Sequence, residues 1–201
     1  MNIVQTNFQY RNPLTPLNLS NIQYIVVHHA EAVTASPEEI HKWHLNNGWS
    51  GFGYNEYIRK DGTVYIGRGD NVGAQCLGYN SISYGICCEG NYDVENIMPK
   101  EQQASLVERL KYHKQRLANL KKIVGHRDLY ATDCPGNYFP FGPVMAALQN
   151  PPVQQQHWAK QDNDELMAAG ILKDDHTASL DKTTTEGFVI SLVNRLRKEG
   201  K

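Results

Sequence analysis

The sequence predicts an α/β fold, a mixed central β-sheet flanked by helices, with a small helical region at the C-terminal end. Three observations carry this. Short β-branched runs alternate with segments of helical periodicity, a turn dipeptide (Asp61-Gly62) sits between two strand-like runs, and periodicity lapses in the stretch LQNPPVQQQ before resuming. At 201 residues the chain is long enough for one core of ordinary size plus a small appendage.

Taken in order, QYIVVHHA (residues 23–30) is a compact β-branched run that reads as a buried strand ending in two histidines. In SPEEIHKWHLNN, Ser36 is the expected N-cap, Pro37 the first helical residue and Glu39 the partner that completes a capping box, with the helix ending near Asn47-Gly48. FGYNEYIRKDGTVYIGR then reads as a hairpin turning at Asp61-Gly62, and SISYGICCEG as a further strand. A long amphipathic helix opens at Pro99, striped by Leu106, Leu110, Leu117 and Leu120, and feeds the short apolar run KKIVGH that delivers His126.

These elements divide the chain into a domain over 1–148, a proline- and glutamine-rich linker over 149–156 and a small region over 157–201. The last region reads as two short helices, the first closed by Gly170, the second opened by Thr183 with Glu186 and striped by Phe188, Leu192 and Leu196.

Twenty basic against 21 acidic side chains leave a formal net charge of −1, so no global field draws this protein to nucleic acid or to an anionic membrane. No apolar run is long enough to insert in a bilayer, and the first residues lack the basic-then-apolar pattern of a secretory signal, which predicts synthesis in the cytoplasm. Of the four cysteines, Cys87 and Cys88 are adjacent, and Cys76, Cys87 and Cys88 read as small core residues rather than a disulfide framework.

One loop, VGHRDLYATDCPG, brings His126 and Cys134 together, two soft donors of the kind that hold zinc. A catalytic zinc takes three protein ligands and leaves a fourth position open. The end of the VVHH strand is a source of the third, and strand alternation lets only one of His28 and His29 face the site; spacing does not choose between them. The remaining histidines, His41, His44, His113, His157 and His176, are expected at the surface.

The ordered set VVHHA, GFGYNEYIRKDGTVYIGRG, YNSISYGICCEGN and GHRDLYATDCPG resembles the zinc-dependent N-acetylmuramoyl-L-alanine amidases, a family that includes phage endolysins and peptidoglycan recognition proteins. The resemblance spans roughly Ile22 to Pro140. It implies a Zn2+ held by His28, His126 and Cys134, with peptidoglycan of the bacterial cell wall as partner and substrate. It places a catalytic tyrosine on Tyr54 and a second catalytic hydroxyl on Thr132, and it puts Gln75 and Asn80 in the substrate groove; the Arg127 guanidinium suits a substrate carboxylate or, alternatively, a pairing with Asp128. Some relatives use a glutamate base where Cys87 stands here, which leaves Glu89 as a reserve for that role and Asp128 as a partner for His126. The activity implied is hydrolysis of the amide between N-acetylmuramic acid and L-alanine, in an endolysin that reaches the wall after release, during host-cell lysis.

Two other functions fit parts of this pattern. A recognition module would bind peptidoglycan without cutting it, although members of that type usually lack the metal cysteine, and Cys134 is present. A structural zinc knuckle would need a fourth protein ligand, for which Cys76 and Cys87 are the candidates. Residues 157–201 bear a partial likeness to one S-layer homology unit, which implies attachment to a secondary wall polymer, with Trp158 and Arg195 as contacts. Separately, Trp49 is a candidate either for lining a sugar groove or for packing.

Overall fold

The computed structural model describes residues 1–149, 160–171, 189–190, 193–195 and 197–198. The chain divides into two compact units, Met1–Pro151 and Pro152–Lys201. In the first, six strands form one sheet: β1 (Ile3–Gln5), β2 (Tyr24–His29), β3 (Glu56–Ile58), β4 (Val64–Ile66), β5 (Ser83–Cys88) and β6 (Lys122–Gly125). Their order is β1-β4-β3-β5-β2-β6. Only the β3–β4 hairpin pairs antiparallel; the other neighbours are parallel, so the sheet is mixed as expected.

Alternation along the strands sorts side chains to two covered faces. Ile25 and Val27 of β2, Ile58 of β3 and Tyr84, Ile86 and Cys88 of β5 join a cluster with Leu106, Val107 and Leu110 of α2 (Lys100–Arg116) and Val144 and Leu148 of α3 (Phe141–Gln149). Tyr57 and Cys87 point the other way, toward Ile40 of α1 (Pro37–Asn46). Parallel register sets His28 beside Cys87 and His29 beside Cys88, so the two histidines emerge on opposite faces.

Local chemistry explains the element ends. Ser36 accepts from the Glu39 N–H while the Glu39 carboxylate accepts from the Ser36 N–H, the reciprocal capping box anticipated, a device that contributes about 1 kcal/mol. In the hairpin, Gly62 takes φ +82° and a Cβ there would come 2.9 Å from the Glu101 carbonyl oxygen, so both conformation and space call for glycine. The leucine stripe is buried at Leu106 and Leu110, but α2 stops at Arg116, so Leu117 and Leu120 reach the same core from the connection to β6.

Three histidines expected at the surface are not there. His113 is fully buried in α2, while His41 and His44 accept backbone N–H groups of Phe52 and Gly53 through Nδ1 at 3.0 and 3.1 Å. The signal against His113 was available: it lies on the leucine face of α2, three residues past Leu110. Its Nε2 donates to Glu56 at 2.8 Å, and the same carboxylate receives a two-pronged grip from Arg109 at 2.8 and 2.6 Å and the Tyr84 hydroxyl at 3.1 Å. This buried cluster ties α2 to β3 and β5. Neither β1 nor α3 was foreseen, β1 because it is three residues long and α3 because its Phe-Gly-Pro opening resembles a turn.

In the second unit α4 (Lys160–Ala168) is followed by Gly170 at φ +68°, the helix stop expected there. Residues 189–190, 193–195 and 197–198 are helical, and Asn194 donates to Asp162 at 2.6 Å and Glu165 at 3.0 Å. Arg195 is exposed; His157, Trp158, His176, Thr183, Glu186, Phe188, Leu192 and Leu196 lie outside the described residues or side chains. No helix among the described residues is long and apolar enough to cross a membrane.

Candidate metal centre

The end of β2 presents His28, 1% exposed, on the α1 face, and the end of β6 passes into a 3-10 turn, His126–Asp128, that brings His126 alongside. The chain then loops back: the Arg127 N–H donates to the Cys134 carbonyl at 2.8 Å, and the Cys134 N–H to Thr132 Oγ1 at 3.3 Å. The outcome is a group of three donors, His28, His126 and Cys134, whose ligand atoms all lie within 4.8 Å of one another. The two imidazole centroids are 4.6 Å apart and His28 Nδ1 is 3.5 Å from Cys134 Sγ. His29 is turned to the other face, where its Nδ1 accepts the Tyr92 N–H at 3.1 Å. The choice between the histidines that spacing left open is therefore made by the sheet.

The electrostatics suit a cation. Burial, with the neighbouring His126 adding to it and the Gln75 hydrogen bond opposing, lowers the His28 pKa to about 3; burial lowers that of His126 as well, so both rings are neutral near pH 7, the form that binds metal. Burial pushes the Cys134 thiol up to about 12, so its thiolate needs a strong positive charge close by. His126 Nε2 is buried with no hydrogen-bond partner, an open donor atom at the same spot. Two imidazoles and a thiolate fit a catalytic zinc. Neither Cys76 nor Cys87 joins the group, so the fourth protein ligand of a structural knuckle is lacking among the described residues.

The group opens into a cavity of about 440 Å³. Tyr54 and Thr132 line it, and the Tyr54 ring centroid stands 5.2 Å from that of His28. Burial, reinforced by the nearby Cys87 and Cys134 sulfurs, raises the Tyr54 phenol well above its ordinary value, so it remains a hydrogen-bond donor. Gln75 and Asn80 also line the cavity: Gln75 Oε1 lies 2.5 Å from His28 Nε2 and its Nε2 donates to Ser83 Oγ at 2.7 Å, while Asn80 Oδ1 accepts the Gln75 and Cys76 N–H groups at 2.9 Å each. Trp49, half-exposed, and Leu77, largely exposed, stand among the lining residues.

The family profile described as N-acetylmuramoyl-L-alanine amidase matches residues 18–137. The chain belongs to this amidase family. It is 38% identical over 105 residues to the endolysin of Klebsiella phage KP32, covering 48% of this chain and 67% of that one. It is 31% identical over 130 residues to peptidoglycan-recognition protein SC1a of Drosophila melanogaster, covering 58% and 69%. Among solved structures, the N-acetylmuramoyl-L-alanine amidase LysC from Clostridium intestinale superposes with a TM-score of 0.68 at 37% identity, covering 74% of this chain and 98% of that one.

Within this amidase fold three anticipated residues do other work. Arg127 does not line the metal cavity; its guanidinium donates to the Gly136 carbonyl at 2.5 Å and to Asn137 Oδ1 at 3.4 Å, clamping the loop that carries Cys134. Asp128 Oδ2 accepts the Gly125 N–H at 2.8 Å, capping the 3-10 turn rather than orienting His126. Glu89 lies just past the end of β5 and is fully committed to Arg59 and to the Ala35 and Lys60 N–H groups, so it is no reserve base. Conversely, His44 was expected at the surface and Glu31 carries no sequence signal. Both line the cavity, and among the described residues Glu31 is its sole carboxylate and the one residue other than glycine with a positive φ, +55°.

Proposed function

We propose that the protein is a zinc-dependent peptidoglycan hydrolase that cleaves the amide between the lactyl group of N-acetylmuramic acid and the L-alanine of the stem peptide. The observation that carries this reading is the three-donor group of His28, His126 and Cys134 opening on a cavity with room for substrate. The relatives named endolysin and amidase support the same chemistry, and those from phages support action on the wall after release.

Zinc held there supplies a Lewis acid for the amide carbonyl and lowers the pKa of water at its open position toward about 7. The chain's own groups do the rest. Tyr54 Oη, kept protonated, donates to the carbonyl oxygen as negative charge develops on it, and Thr132 Oγ1 shapes the cysteine loop while facing the same cavity. Trp49 offers an aromatic face to the glycan beside the cavity. Residues 1–148 carry this chemistry, 149–156 act as linker and 157–201 as a small wall-targeting region that takes a secondary wall polymer.

Stripping metal with a chelator should stop solubilisation of purified peptidoglycan, and zinc should restore it; full activity in the stripped protein contradicts the proposal. Tyr54→Phe should retain zinc and fold yet lose roughly 100- to 1,000-fold in kcat, the range for one donor to a developing oxyanion. A Tyr54→Phe variant with wild-type kcat reduces Tyr54 to packing.

A further inference from the structure

We infer that Gln75 is a positioning residue that fixes the tautomer of His28, so that His28 offers Nδ1 and only Nδ1 to the metal. The inference rests on the zinc amidase reading for its consequence, but the hydrogen-bond logic is independent of it.

One group beside Gln75 has a role that is not adjustable. The carbonyl oxygen of Tyr79 can only accept, and Ser83 Oγ donates its single proton there at 2.8 Å. Ser83 Oγ is left as an acceptor, so the Gln75 atom 2.7 Å from it is the amide nitrogen, which donates. That settles which way the amide faces. Gln75 Oε1 then points at His28, 2.5 Å from Nε2, and an oxygen acceptor there requires the proton on Nε2. The lone pair of the neutral ring is left on Nδ1, the atom 3.5 Å from Cys134 Sγ.

Packing holds the relay in place. Ser83 is fully buried and Gln75 is 8% exposed. The Gln75 N–H is pinned by Asn80 Oδ1 at 2.9 Å. Gly85 interrupts the middle of β5, where a glycine costs strand stability; a Cβ there would come 2.6 Å from Gln75 Cγ. The glycine is the room in which the Gln75 side chain lies. A side chain meant only for substrate would not need a vacated position in a central strand, nor a serine relay behind it. Gln75 therefore acts through His28, orienting the ring and removing the alternative in which Nδ1 carries the proton and repels the metal.

The test uses the full chain and three variants. Gln75→Met keeps side-chain length against Gly85 and removes the acceptor, Gln75→Glu restores an acceptor, and Ser83→Ala frees the amide to flip. Nitrogen-15 NMR of the zinc-free protein should show His28 as the Nε2–H tautomer in the wild type and in Gln75→Glu, and a mixture in Gln75→Met and Ser83→Ala. Zinc affinity, read by competition with a chelator, should fall roughly 10- to 100-fold in Gln75→Met and recover in Gln75→Glu. An Nδ1–H tautomer in the wild type, or unchanged zinc affinity in a folded Gln75→Met, overturns the inference. If Gln75→Met does not fold, Ser83→Ala is read by the same two measurements and the same outcomes decide. A wild-type protein that takes up no zinc defeats the zinc reading, and the tautomer measurement still decides the role of Gln75.

Discussion

Cys134→Ser will lose zinc on purification and release stem peptides at least about 1,000-fold more slowly than the wild type. With zinc bound, the Cys134 thiolate would be the one anionic donor of the group, beside two neutral imidazoles. A serine hydroxyl does not ionise at neutral pH, so the site keeps two ligands of three and loses the charge that balances the cation. Loss of the metal forfeits several kcal/mol of transition-state stabilisation, and each 1.36 kcal/mol is about tenfold in rate. The fold should survive, because the loop is held by the Cys134 carbonyl and by Arg127 rather than by Sγ. Metal content by elemental mass spectrometry, together with a urea curve, separates the two effects. Cys76→Ser and Cys87→Ser serve as controls that keep zinc, since neither sulfur belongs to the donor group. A Cys134→Ser protein with wild-type metal content and rate contradicts the assignment.

Arg109→Leu will destabilise the amidase unit by about 3–5 kcal/mol, the usual consequence of leaving a buried charge without its partner. Side chains of Glu56 and Arg109 are 1% and 8% exposed, so solvent does little to screen the loss. Burial alone would raise the Glu56 carboxyl, but hydrogen bonds and charge from Arg109 and His113 outweigh it and hold the pKa at about 2, against an ordinary 4.5. A depressed carboxyl pKa contributes stability that is present above about 4.5 and is lost as pH falls toward about 2. His113 acts with the same sign: burial lowers its pKa, so stability falls as pH drops below the ordinary value of 6.5. Urea midpoints of the wild type should therefore decline from pH 7 to pH 3. Arg109→Leu should start lower and lose its acid resistance at a higher pH, while Glu56→Leu combined with Arg109→Leu recovers part of the loss. A single-variant loss below about 1 kcal/mol would show that Tyr84 and His113 satisfy Glu56 without Arg109.

Five of the six strands and the His126–Cys134 pair were legible in the sequence because their signals are local or strictly periodic. Ser36, Pro37 and Glu39 announce α1 within four residues, and Asp61-Gly62 fixes the hairpin. Alternation reduced the VVHH end to one histidine per face, and only strand register could say that His28 shares a face with Cys87. The illegible parts depend on contacts far apart in sequence. Gln75 reads as a groove residue until Ser83 and His28 are seen around it, and Glu89 reads as a base until Arg59 is found across the sheet, 30 residues away. His113 was misplaced because a histidine usually marks a surface position, and its reason for burial is Glu56, 57 residues earlier.

The most direct test of the account is the identity of the fragments released from purified peptidoglycan, read by mass spectrometry for the zinc-loaded protein, a chelated control and Cys134→Ala. The account predicts free stem peptides beginning with L-alanine from the zinc-loaded wild type and from neither control. Fragments cut at another bond, or none from a zinc-loaded protein that still binds the wall, would contradict it and favour a recognition module on the same fold.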